Sequence, residues 1–369
     1  MWQRRWVRVA LVAFAAVLIW LAWSVTPYLT APGNDSLSAR LSGWARDHGL
    51  GGIVVALEKL QYDLNPPKVG GSPAPIAAPT VSPARVTAVA PAIRVAMRPA
   101  MIPPASPALP HEGQWTTLVS VKGQPAVQAT FVRPDSSHTS YLTGVVWMSH
   151  KLLKFNLHPG YSEPGGSWTT PDWIPPSQRK GLVATWNGAF KLVDAHGGFY
   201  LDGRTAGSLV DGAAAEVFYK DGSMTIGSWN QEVHMTSNVV GVRQNLALLI
   251  DHGQIAPNID YNPEINWGLT LGGKYYIFRS GLGVTAQGDL VYVSGDALSA
   301  GTLADILKRA GAVRAMELDI NPAWVSFMSY QAGSTPNDPT PHSLLNDYQR
   351  PADRYYTPTS RDFVAVYAR

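Results

Sequence analysis

Two carboxylates, Glu317 and Asp319, stand one residue apart in Ala315-Met316-Glu317-Leu318-Asp319-Ile320-Asn321. Side chains alternate faces along an extended strand, so the two acids project together while Met316, Leu318 and Ile320 take the apolar side. Like charges held side by side raise one pKa and leave an acid and a base near neutral pH, which is what hydrolysis needs. The same two residues would also serve as solvated strand-end acids, or as structural partners of arginines.

Three other positions have chemistry of the right kind. Arg279 lies between Tyr276-Ile277-Phe278 and a Gly281-containing strand, an odd place for a charge unless it meets an anion. A guanidinium grips a carboxylate or phosphate in bidentate fashion, and Glu317 or Asp319 are its structural alternatives as partners. Arg243, beside Gln244 and Asn245, is a second candidate of the same type. In Trp186-Asn187-Gly188-Ala189-Phe190, Asn187 leaves an apolar strand with both a donor and an acceptor, and Gly188 lets a backbone approach a ligand or simply turns the chain.

Other chemistries are excluded or weakened. The 369 residues contain no cysteine, which removes disulfides, thiolate metal sites and a Cys nucleophile. A net charge of +3 without a clustered basic face argues against nucleic acid. His196-Gly197-Gly198 resembles a lipase oxyanion loop, but no G-x-S-x-G elbow accompanies it. Gly281-Leu282-Gly283-Val284-Thr285-Ala286 fits a dinucleotide fingerprint, yet a hairpin and another strand follow where a helix is required. The histidines lack zinc-site spacing, no metal site or cofactor is assigned, and calcium on Asp and Asn oxygens stays open as an alternative.

The elements that must position these residues are legible in outline. Val7 to Val25 is apolar behind Arg4 and Arg5, long enough to span a bilayer with the N-terminus inside, and an uncleaved anchor fits it better than a signal peptide. Leu37, Leu41 and Trp44 follow helical spacing behind Asn34-Asp35-Ser36, and Ile53, Val54, Leu57 and Leu60 follow it after Gly51-Gly52. These two helices could lie on the membrane, pair with a neighbour, or form an inactive juxtamembrane hairpin. Asn65 to Pro110, rich in Pro, Ala, Val and Ser and free of acids, reads as an extended spacer.

Hairpin signals then recur at Asp202-Gly203, Asp221-Gly222, Asp251-His252-Gly253 and Gln287-Gly288. One helix is clear, from Thr302 to Ala310, with Leu303, Ile306 and Leu307 on its apolar face. Asp362 to Tyr367 reads as a closing strand and Gln331 to Thr359 as a long surface segment. The fold class is α+β: a mixed, largely antiparallel twisted sheet with a few packed helices, preceded by an N-terminal transmembrane helix.

Taken in order, these residues resemble the phosphodiester glycosidase superfamily, which carries an Asn-Gly-Gly-Phe element, a later Arg before a Gly-containing hairpin, a helix, and a Leu-Asp-Gly-Gly element. Here the counterparts are Asn187-Gly188-Ala189-Phe190, Arg279-Ser280-Gly281-Leu282-Gly283, Thr302 to Ala310, and Leu318-Asp319-Ile320-Asn321. Ala189 replaces one glycine and Ile320-Asn321 replace a Gly-Gly pair. The resemblance implies hydrolysis of a glycosyl phosphodiester with Asn187, Gly188, Arg279 and Asp319 at the site; the residues themselves add Glu317 as the second catalytic carboxylate and Arg243 and Asn321 as substrate-binding candidates.

The expected organisation is therefore an anchor over residues 1–30, a juxtamembrane helical segment over 31–64, a linker over 65–110 and a glycosidase-like domain over 111–369. The expected role is an extracytoplasmic hydrolase acting on a carbohydrate or sugar-phosphate polymer of the cell envelope. The alternatives are a non-catalytic wall-polysaccharide-binding module using Trp173, Trp186 or Trp267 as sugar platforms, and a scaffold docking a partner on the juxtamembrane helices.

Overall fold

The computed structural model describes residues 2–78, 94–257, 259, 260, 267, 276–335 and 337–369. Its N-terminal helix α1, Trp2–Leu29, contains a stretch, Arg5–Leu29, long and apolar enough to cross a membrane. Two shorter helices follow, α2 (Leu37–Asp47) and α3 (Gly51–Leu64). Ser36 caps α2 by accepting a hydrogen bond from the Ala39 amide at 3.2 Å, supplying a partner that the first helical turn lacks.

Among the described residues that follow, three antiparallel sheets make the frame. The largest has eight strands, ordered 116–121, 124–132, 143–148, 290–298, 277–285, 312–317, 248–251 and 254–255. A five-stranded sheet places Leu182–Asn187 between Phe327–Gln331 and Phe363–Ala368. The third, also five-stranded, carries Val239–Gln244 between Phe199–Leu201 and Ala214–Tyr219. All four Gly-containing turns named above join paired antiparallel strands, and 277–285 runs directly into 290–298, as the absence of a helix there required.

The main core lies between the eight-stranded and the first five-stranded sheet, where Trp186, Tyr292 and Phe327 pack ring to ring. The helix Ala300–Arg309 covers the opposite face, setting Leu303, Ile306 and Leu307 against Val291, Val293 and Ala315.

Two stretches differ from their sequence reading. In the spacer, residues 94–107 lie against the domain rather than free of it: the Val95 and Arg98 amides donate to Gln124 and Gln128, and Met101 is buried. The segment 331–359 is not a surface loop throughout, since Leu344, Leu345, Tyr348, Arg350, Arg354 and Tyr355 are buried. Its prolines and polar residues hide a few anchors without periodicity, which pattern reading misses.

The N-terminal arm docks on that same segment. Asp35 ion-pairs with Arg350 and accepts from the Ser360 hydroxyl, and a side chain at Gly33 would meet the Pro358 carbonyl oxygen. Lys191 ion-pairs with Asp47 of α2 at 2.8 Å. The hairpin α2–α3 is thereby held over the ends of the strands.

Candidate active site

Between the hairpin and the strand ends lies a cleft of about 790 Å³, within the range of small-molecule sites. Asp319, Asn321, Trp324 and Arg361 line its inner side, Asp296 and Asp347 another part of its wall, and α2 and α3 the face opposite the domain.

Asp319 reaches the cleft because the backbone continues strand pairing past Glu317. Ser280 exchanges hydrogen bonds with this stretch: Leu318 N donates to Ser280 O at 2.8 Å and Ser280 N to Asp319 O at 2.8 Å. The Ser280 hydroxyl also accepts from the Asp319 amide at 3.2 Å. Burial pushes the Asp319 carboxyl up to about 6, against the pull of Arg361 and of the Asn321 and Ile320 amides.

Arg361 lines the cleft, as Arg46 and Lys191 do, and was overlooked by the sequence reading. Its Nη2 stands 3.6 Å from Asp319 Oδ2 and donates to the Ala189 carbonyl at 3.0 Å. Its guanidinium lies 5.3 Å from the Trp324 ring centre, and those of Arg350 and Arg354 lie 5.4 and 6.0 Å from the same ring. Of these three, Arg361 lines the cleft, while Arg350 is ion-paired with Asp35, so Arg361 is the guanidinium placed to meet a phosphate. The signal was present in sequence: Arg361-Asp362 abuts an apolar strand, as Arg279 does.

The other expected site residues stand behind the cleft wall. Glu317 is buried and bonded to Arg279 at 2.5 Å, the arrangement weighed above as the structural alternative. Burial raises the Glu317 carboxyl to about 7, Arg279 opposing and Asp319 adding to the rise. Arg243 is buried against Asp362, Nε to Oδ2 at 2.8 Å, and donates to the Phe190 carbonyl. Asn187 donates to Ser280 Oγ at 3.0 Å and accepts from the Tyr292 hydroxyl at 2.9 Å and the Ser326 amide at 3.1 Å. Gly188 is needed by its neighbour: an added Cβ would stand 2.2 Å from Asp362 Oδ2.

Through Ser280, Asn187 therefore supports Asp319, and Arg243, Gly188 and Asp362 fix the start of the strand that follows Arg361. Of the expected residues, Asp319 and Asn321 are the ones lining the cleft among the described residues.

Trp186 and Trp267 are buried in the cores and cannot serve as sugar platforms. Trp173 is half-buried and lines no part of the cleft, whereas Trp324 does. For a cation, Glu232, Asp251 and His252 place ligand-type atoms within 4.8 Å of one another. They lie on a turn-bearing edge, with His252 already on Asp251 at 2.9 Å, and none of them lines the cleft.

Residues 180–319 match the family model described as phosphodiester glycosidase. That stretch, 140 of the 369 residues, is similar to the phosphodiester glycosidase domain. The likeness suggests a glycosidase-type domain, with carbohydrate or phosphosugar as the broad substrate class. No curated protein matches the chain.

Among solved structures, one similar to it is the zebrafish N-acetylglucosamine-1-phosphodiester alpha-N-acetylglucosaminidase catalytic domain auto-inhibited by pro-peptide. It is 15% identical, with a TM-score of 0.41, over 69% of this chain and 88% of that one. A hypothetical protein from Synechocystis is 12% identical, with a TM-score of 0.38, over 72% and 65%. A putative exported protein from Burkholderia pseudomallei is 12% identical, with a TM-score of 0.32, over 62% and 74%.

Proposed function

We propose that the cleft hydrolyses the glycosidic bond of a glycosyl phosphodiester outside the cytoplasm, on a sugar-phosphate component of the cell envelope. One observation carries this reading: a nearly buried carboxylate and guanidinium, Asp319 and Arg361, 3.6 Å apart in the wall of a cleft they both line.

The chemistry follows from the leaving group. A phosphoryl oxygen departs as a stable anion and needs little proton donation, so charge neutralisation by Arg361 replaces a general acid. Asp319, ionised above about 6, takes the proton of a water whose oxygen bonds to the anomeric carbon as the C–O bond breaks towards the phosphate. The products are a free sugar and a phosphomonoester. Asp319 also stabilises the positive charge developing on the sugar ring. Asp296, Asp347 and Asn321 offer acceptors for sugar hydroxyls.

This scheme uses one carboxylate in contact with substrate and gives Glu317 a supporting role. Glu317 neutralises Arg279 and holds the strand end that delivers Asp319. The positive flank of Arg4, Arg5 and Arg8 before the apolar part of α1 favours an extracytoplasmic domain.

The test is release of free sugar and phosphomonoester from synthetic glycosyl phosphodiesters by the purified chain, beside Asp319→Asn. Turnover by the wild type and its loss in the variant support the reading. A wild type that binds these compounds yet releases nothing would make the domain a non-catalytic binding module.

A further inference from the structure

Helix α3 has two working faces. Glu58, Gln61, Tyr62 and Asn65 line the cleft. Ile53, Leu57, Leu60 and Leu64 form a separate stripe and are 58, 60, 53 and 70% exposed. With 3.6 residues per turn, the stripe lies about a third of a turn from the cleft face. One helix thus walls the cleft and offers an uncovered apolar surface beside it. An exposed stripe of this kind marks an interaction surface.

The position of α1 decides what covers it. Trp44 Nε1 donates to Ser24 Oγ at 3.2 Å, the Tyr28 hydroxyl to Asp47 at 3.0 Å, and the His48 ring sits 6.0 Å from Trp20. These contacts fold α2 back along the last turns of α1, so that α2 and the start of α3 stand at the level of Trp20 to Tyr28. About 20 residues cross the hydrocarbon of a bilayer, which puts that level at the membrane–water boundary of a helix beginning near Arg5. An amphipathic helix with its leucines outward at that depth rests in the interface. Leu37 and Leu41 of α2 extend the apolar surface towards α1.

We propose that the α2–α3 hairpin is seated in the bilayer surface and that the cleft draws its substrate from there: a lipid-linked glycosyl phosphodiester. The inference rests on the hydrolase reading above and names the substrate class of the same site. The sugar and phosphate occupy the cleft, with the phosphate at Arg361, and the lipid chain leaves across the α3 stripe into the membrane that α1 spans. A soluble polymer would gain nothing from a wall built this way, whereas a lipid-borne head group is concentrated at it.

The absence of cysteine allows single spin labels on the full chain in phosphatidylcholine–phosphatidylglycerol vesicles. Labels on Leu57→Cys and Leu60→Cys are expected to collide with oxygen in preference to a water-soluble nickel chelate, and a label on Lys59→Cys to show the reverse. Water exposure at all three positions overturns the membrane seat. Shielding of Leu57 and Leu60 from both relaxers marks a second protein copy there and overturns it too.

The substrate arm compares the decaprenyl and methyl diesters of N-acetylglucosamine 1-phosphate with the vesicle-bound chain. Confinement to the membrane should raise kcat/KM for the decaprenyl compound by about 100-fold over the methyl one. Leu57→Glu with Leu60→Glu should abolish that preference without changing methyl-diester turnover. Equal turnover of the two diesters by the wild type overturns the lipid-linked assignment and leaves the hydrolase reading standing. Failure to hydrolyse either overturns the hydrolase reading and the substrate class together, while the label depths still decide the membrane seat.

Discussion

Arg361 holds its Nη2 3.6 Å from Asp319 Oδ2 while the same nitrogen donates to the Ala189 carbonyl. That carbonyl belongs to the alanine that replaces a glycine of the Asn-Gly-Gly-Phe element, and the acceptor is its backbone oxygen, so the replacement leaves the arginine's support intact. The pair is open to a substrate on the cleft side and braced from behind. Replacing Arg361 with Ala should lower kcat/KM by about 100-fold or more, as loss of a transition-state charge contact does. Arg361→Lys should recover little of it, because an ammonium lacks the planar fork. Steady-state release of sugar checks both.

Asp319 and Glu317 should separate cleanly in kinetics. Asp319→Asn removes the proton acceptor and should cost about 100-fold or more in kcat. Glu317→Gln should stay within roughly tenfold of wild type, because its carboxylate lies behind the cleft and acts on position, but should lower the urea midpoint through its lost charge on buried Arg279. Equal losses of activity in the two variants would contradict the assigned roles.

The pH profile of kcat/KM should show an acid limb near 6. Asp319 must be ionised to accept a proton, and burial has raised its carboxyl to about 6, so activity falls as pH drops below that value. Removing Arg361, which favours the ionised form, should move the limb to higher pH.

Glu216 gives a stability prediction independent of activity. It is buried, and burial with the nearby Asp362 raises its carboxyl to about 8, Arg243 opposing. A folded pKa above the usual 4.5 binds the proton more tightly in the native state. Its contribution is therefore complete below about pH 4.5 and is lost as pH rises through about 8. Glu216→Gln should flatten the Tm–pH curve over that window and raise Tm at pH 8 by several degrees, equivalent to about 1–3 kcal/mol.

Gly188→Ala tests the packing beneath the cleft. The new Cβ would stand 2.2 Å from Asp362 Oδ2 and 2.5 Å from the Asp362 carbonyl oxygen, so the strand carrying the Arg243 ion pair must shift. Overpacking of this kind costs about 1–3 kcal/mol, measurable as a lower urea midpoint. Arg361 precedes that strand, so kcat/KM should fall as well.

Local pattern was enough for the architecture. Apolar runs broken by Asp-Gly and Gln-Gly turns dictated antiparallel hairpins, and the spacing of Leu303, Ile306 and Leu307 dictated the helix that covers the sheet. The apolar length of α1, the Ser36 cap and the position of Asp319 at a strand exit are equally properties of short stretches. The order of elements also carried the family resemblance, which the match over residues 180–319 bears out.

Tertiary structure alone decided which charges meet. Arg279 and Arg243 looked like ligands for an anion because each interrupts an apolar run, but burial forces a charge to find a partner, and Glu317 and Asp362 satisfy them inside the protein. Arg361, Arg350 and Arg354 come together around Trp324 from a segment with no periodicity to betray its buried anchors. The closing of the cleft by α2 and α3 depends on Asp35 reaching Arg350 across most of the chain. Sequence spacing reports neighbours along a strand or helix, and contacts of that range are set only when the whole fold packs.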